Sequence, residues 1–129
     1  MAGLNRDLTN VLNVVRLLAP ATYSAAAEQT TAAIDTDFMR DGILVIDCGV
    51  IAATSTVGVQ LQTCDTSDGT YADVMAADGA LTVAHTLTAV SYAVKDLKRY
   101  VKFQYDVDTD DALFGAVLVG AHRPLNPPS

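Results

Sequence analysis

The sequence predicts an all-β chain: a single β-sandwich or jelly-roll-like domain of about eight strands, with an N-terminal arm and a Pro-rich C-terminal tail. Three observations predict it. Apolar and polar residues alternate along Val57–Cys64 and Arg99–Val107, which is the period of a half-buried strand. Turn signals rich in Asp, Ser and Gly recur at intervals of about ten residues. The hydrophobic half of the chain is dominated by Ala and Val, with 3 Phe and no Trp, and suits two sheets packed over a thin core. A length of 129 residues fits one domain, with expected bounds of 1–10 for the arm, 11–121 for the sandwich and 122–129 for the tail.

The elements are read in order. Leu4, Leu8, Leu12 and Val15 recur at helical spacing, so a helix over 4–18 is open. The favoured reading is an arm to Asn10, flexible or shortly helical, and then a strand with Val15 and Leu17 on one face, closed by Pro20. Ala21–Ala27 reads as a loop or weak strand, and Thr30–Thr36 as a short strand. Phe38–Gly42 reads as a turn with an apolar anchor, ending on a Gly suited to positive φ. Ile43–Val50 is the most apolar run and reads as a central strand, with Leu44, Ile46, Cys48 and Val50 inward. In Val57–Cys64, Val57, Val59 and Leu61 face inward and Gln60, Gln62 and Cys64 outward. An Asp65–Thr70 turn leads to a short strand over Tyr71–Ala77, and Asp78–Gly79 turns again. Leu81–Leu87 is ambiguous, Val90–Val94 is a strand and Asp96–Lys98 a turn. Arg99–Val107 carries the clearest alternation, with Val101, Phe103, Tyr105 and Val107 inward. An acidic turn over Asp108–Asp111 precedes the closing strand, Ala112–Ala121. His122–Ser129 holds three of the 4 prolines and reads as tail.

The formal charge of −7, from 15 acidic and 8 basic residues, opposes a general nucleic-acid or anionic-membrane role. The apolar run over 11–20 is broken by Asn13 and Arg16, so neither a membrane span nor a secretory segment is expected. Synthesis in a cytoplasm follows. The opposite faces expected for Cys48 and Cys64 leave two free thiols.

No catalytic constellation is evident, and an enzyme is not expected. His85 and His122 belong to no nucleophile motif and read as structural or solvated. The cysteines and histidines are too scattered for zinc. Asp106, Asp108, Asp110 and Asp111 bunch like the start of a calcium loop, but the Gly and Glu that a helix–loop–helix site requires are missing, and a solvated turn is the plainer reading. No cofactor is expected. Basic residues cluster once, at Lys95, Lys98, Arg99 and Lys102, as either a solvated edge or a docking patch for an acidic neighbour. Five spaced Tyr without a Trp give thin support to a sugar platform.

Three segments resemble small structural proteins of tailed-bacteriophage particles: Asn13–Pro20; Gly42–Gly49 with Val59–Val74; and Lys98–Phe103 with Phe114–Val119. Tyr71 stands where such sequences often carry a Trp. The resemblance implies a virion structural protein of head decoration or cement type. Its expected partners are the major capsid protein and copies of itself, without nucleic acid or membrane. It would be made in the host cytoplasm and act on the capsid. A tail or head–tail connector component is the runner-up, and a small carbohydrate- or receptor-binding module the rival from another class. Leu4 and Leu8 of the arm, with the four basic residues, are the expected interface positions.

Overall fold

The computed structural model describes residues 12–25, 27–36 and 39–122. The expected N-terminal arm, with Leu4 and Leu8, the Phe38 anchor and residues 123–129 of the expected tail lie outside them. The chain forms β1 (Leu12–Tyr23), β2 (Gln29–Thr30), β3 (Ile34–Asp35), β4 (Met39–Ile51), β5 (Thr56–Cys64), β6 (Ala72–Asp73), β7 (Gly79–Leu81), a 3-10 turn (Val83–His85), β8 (Ala89–Val94), β9 (Tyr100–Asp108) and β10 (Ala112–His122).

Two antiparallel sheets result. One runs β1-β10-β4-β8; the other runs β2-β9-β5-β6, with β3 also on β9 and β7 also on β5. β2 and β3 lie along the same β9 strand, opposite Tyr105–Gln104 and Val101–Tyr100. β6 and β7 lie along β5 in the same way. Each of these pairs is one interrupted edge strand, so the ten segments make eight strands in two layers of four. Pairing is nested: β1 with β10, β2/β3 with β9, β4 with β8, β5 with β6/β7. A long antiparallel hairpin rolled on itself gives this nesting, and the fold is a jelly roll.

Alternation accounts for the core. Leu44, Ile46 and Cys48 of β4, Val57, Val59 and Leu61 of β5, Val101, Phe103 and Val107 of β9, and Ala112, Phe114, Ala116 and Leu118 of β10 are all buried. Four rings join the layers. Tyr23 of β1 lies 5.2 Å from Tyr105 and 5.0 Å from Phe114. Tyr105 lies 6.0 Å from Phe103 and 5.8 Å from Phe114.

Several expectations are corrected. Pro20 does not close the first strand; β1 continues to Tyr23. β1 is an edge strand and its register shifts between Leu18 and Ala21, so the absent N–H of Pro20 costs no ladder bond. Gly115 faces Pro20, and a Cβ there would crowd the proline ring at 3.0 Å. The expected turn before Ile43 is absent, because Met39–Ile51 is one strand and Gly42 has no positive φ. Gly42 instead lets Val119 approach, since a Cβ there would meet its carbonyl oxygen at 2.7 Å. Val50 turns out, 61% exposed, and Ile51 turns in at 1%. Between Cys48 and Ile51 β4 spends three steps where β10 spends two, from Phe114 to Ala112, and this bulge reverses the alternation. Gln60 points to the expected face but is only 2% exposed. Its side chain donates to the Met75 carbonyl and to Asp78, and accepts from the Met75 and Leu61 amides. The segment crossing outside β5 covers it. The expected strand over Tyr71–Ala77 shrinks to Ala72–Asp73, and that over Thr30–Thr36 splits in two. His122 ends β10, opposite Met39, and does not begin a tail.

Cys48 and Cys64 fall in different sheets, and both are free. Burial, with Asp47 adding to it, raises the Cys48 pKa above the ordinary thiol value. Alkylation of the native protein is therefore expected to label Cys64 and spare Cys48, with both labelled after unfolding. Equal native labelling, read by mass spectrometry, would contradict the placement. Phe103→Ala removes a ring from the inter-sheet cluster and is expected to cost about 3–5 kcal/mol in urea unfolding. A loss under about 1 kcal/mol would mean that the β9 ring is not a core element.

Candidate interaction surface

The basic cluster is distributed by the fold. Lys98 and Arg99 follow the turn after β8 and line one cleft with Arg40, Asp65, Asp96, Leu97 and Met39. Lys95 lines a different cleft, beside Met75 and Tyr92. Lys102 sits on β9 with its ammonium 4.5 Å from the centre of the Tyr71 ring. The Arg99 guanidinium reaches both Asp35 carboxylate oxygens, at 3.0 Å from Nη2 to Oδ2, and lies 5.3 Å from the Tyr100 ring centre. Lys98 and Asp65 pair at 3.7 Å in solvent. Three of the four cations are thus engaged within the chain. Arg40 joins the cleft from far away in sequence, and only the tertiary fold could reveal it.

His85 and the acidic turn are tied into the chain by hydrogen bonds. His85 Nδ1 accepts the Thr82 amide at 3.0 Å and so holds the 3-10 turn. In the acidic turn, the buried Ser55 hydroxyl faces the Asp108 carbonyl at 3.0 Å and the Asp110 carbonyl at 2.7 Å. The Asp110 carboxylate accepts the Asp111 amide. Thr109 sits there at φ 81°, a conformation that β-branched residues avoid. Among the described residues no group of three His, Cys, Asp or Glu side chains is placed to hold a metal ion.

The two outer sheet faces differ in chemistry. On the β9–β5 side the outward residues are largely polar, and two glutamines are bonded within the chain: Gln62 to Asp73 and Gln104 to Glu28. On the β1-β10-β4-β8 side they are mostly apolar. Val14, Val119, Ile43 and Ala93 form one row across the four strands; Arg16, Val117, Val45 and Ser91 form the next. Leu12 is 41% exposed, Val14 64% and Ile43 48%. In the third row Gly115, against which Pro20 lies, is followed across the sheet by Asp47 and then Ala89. A shallow cleft opens there, lined by Arg16, Leu18, Pro20, Asp47 and Ala89 among others. No sequence signal singled out this face. Ile43, Val45, Val117 and Val119 read only as parts of continuous apolar runs, and that continuity is the signal available, because a strand apolar on both sides expects cover on both.

No protein-family model matches the chain, and no curated protein sequence matches it. Solved structures do. A chain of the infectious bursal disease virus Gx strain is 14% identical, with a TM-score of 0.55 over 90% of this chain and 34% of that one. The VP2 subviral particle of infectious bursal disease virus is 11% identical, with a TM-score of 0.58 over the same shares, 90% and 34%. A T=1 particle derived from that virus is 15% identical, with a TM-score of 0.50 over 86% and 31%. The protein therefore has a β-sandwich of viral-capsid type. It spans about a third of the length of these viral chains, and the likeness is one of fold.

The ion pairs at the basic residues are exposed, so Lys98→Ala and Arg99→Ala are each expected to change unfolding free energy by less than about 1 kcal/mol. A larger loss in thermal or urea melts would make these residues part of the fold's framework.

Proposed function

We propose that the protein is a non-catalytic structural component of a virus particle, which binds the outside of the capsid and braces neighbouring shell subunits as a decoration or cement protein. The observation carrying this reading is the jelly roll's likeness in fold to chains of virus-particle structures. Its partners are the major capsid protein and further copies of itself, its place is the virion, and its synthesis is in the host cytoplasm. The sequence resemblance to tailed-phage particle proteins favours a tailed phage. Residues 1–10 serve as an anchor, with Leu4 and Leu8 seated in an apolar groove of a neighbour. Each such contact is weak, because ordering a short segment costs entropy, and repetition over the lattice makes attachment firm. Lys95, Lys98, Arg99 and Lys102 supply secondary docking contacts.

A second reading has its own support. The similar viral chains come from particle and subviral-particle structures and are about three times as long. The domain is then a building block of the shell itself. Purified protein mixed with empty capsids is expected to co-sediment, and removal of residues 2–10 is expected to abolish binding while leaving the melting temperature nearly unchanged. Retained binding would discard the anchor. Failure of the full chain to co-sediment, with closed particles formed by the protein alone in electron micrographs, would replace decoration by shell formation.

A further inference from the structure

The outer face of the β1-β10-β4-β8 sheet carries more exposed hydrocarbon than a solvated sheet requires. Val14, Val119 and Ile43 are aligned across three strands, with Val117 and Val45 beside them in the next row. An apolar row of this kind on a free monomer signals a partner. We infer that this face docks on the same face of a second copy, so that the chain forms a two-fold dimer through it.

Charge selects that partner. Copies that each carry −7 repel one another over most approaches. Within the three rows, however, the charged side chains are one cation, Arg16, and one anion, Asp47. Neither has an ion pair among the described residues. Across these rows two copies can therefore meet without net repulsion.

The register supplies the geometry. Arg16 stands opposite Val117 on β10, and Val117 stands opposite Val45 on β4. Asp47 is two residues further along β4, opposite Gly115. The midpoint between Arg16 and Asp47 therefore falls over β10, between Val117 and Gly115. A two-fold axis through that point, lying in the interface and perpendicular to the line from Arg16 to Asp47, brings Arg16 to Asp47 of the partner subunit and Asp47 to Arg16 of the partner subunit. One contact is made twice, as an isologous interface requires. The valine and isoleucine rows close around it, and Pro20 over Gly115 keeps the centre apolar. The opposite sheet offers no equivalent apolar row: its outward positions include Gln62, bonded to Asp73, and Gln104, bonded to Glu28.

The test is sedimentation of the full chain alone across its accessible concentration range. The wild type is expected to dimerise. Ile43→Lys is expected to give monomer with an unchanged melting temperature. Val14→Lys, on the edge strand, does the same should the central-strand variant fail to fold. Arg16→Asp and Asp47→Arg are each expected to weaken the dimer at least about tenfold, and the double variant to restore it, since the swap re-forms both pairs. A wild type that stays monomeric throughout overturns the inference, as do lysine variants that still dimerise or a double variant as weak as the singles. A monomeric wild type whose lysine variants lose capsid co-sedimentation assigns the face to the shell and likewise overturns the homotypic contact. Because the measurement uses the isolated chain, it fails or succeeds independently of capsid binding.

Discussion

The fold depends on four rings that clasp two thin sheets. The core is built largely from Val, Leu and Ile side chains, and the rings add the longest side chains to the space of about 10 Å between the sheets. Phe103 and Tyr105 reach from β9, and Tyr23 and Phe114 reach from β1 and β10 to meet them, in edge, tilted and stacked arrangements. Aromatic pairs in such geometries contribute beyond their buried area. Their larger effect is on phase. With a side-chain period of two, a ring turned inward at Phe114 fixes Leu113, Gly115 and Val117 outward, and the ladder passes that choice to β1 and β4. The apolar outer face is thus a consequence of where the inner rings sit.

Irregularities then adjust what pure alternation would give. In β1 the shifted register lets Leu17 and its neighbour Leu18 both pack against the core. In β4 the extra residue before Ile51 exchanges its side with Val50, so an apolar residue is delivered to solvent at the end of the strand. The loop before β8 is tied to the same region: the Leu87 amide donates to the Gly49 carbonyl, and the Thr86 hydroxyl contacts both polar backbone atoms of Ile51. Leu87 is held at φ 59° and lies exposed. A bulky residue in that conformation carries strain that the surrounding hydrogen bonds sustain.

The sandwich, its strand count and the faces of β5 and β9 were legible in the sequence, because alternation and turn chemistry are local. The same locality explains what was missed. Whether Pro20 ends a strand depends on its lying at a sheet edge. Which way Val50 points depends on a bulge defined against β10. Gln60 looks solvent-facing until the Met75–Asp78 segment crosses it. Of the interaction candidates, the basic residues were visible by type, but their engagement by Asp35, Asp65 and Tyr71 was not, since those partners lie far away in the chain. The apolar sheet face could not be seen as a surface before strand order placed β1, β10 and β4 side by side.

Leu12 and Ala121 are opposite one another on the β1–β10 ladder. In an antiparallel pair that separates their Cα atoms by only about 5 Å. The backbone therefore enters and leaves the roll through a single corner. A surface loop of an unrelated scaffold needs to open by no more than that gap to receive the whole sandwich as a graft, with neither junction stretched. The same closeness would let Leu12 and Ala121 be linked directly and the chain opened at the Asp65–Thr70 turn instead, with every strand pairing kept. Modularity of this sort lets one roll be displayed, swapped or multiplied on larger chains without redesigning its interior.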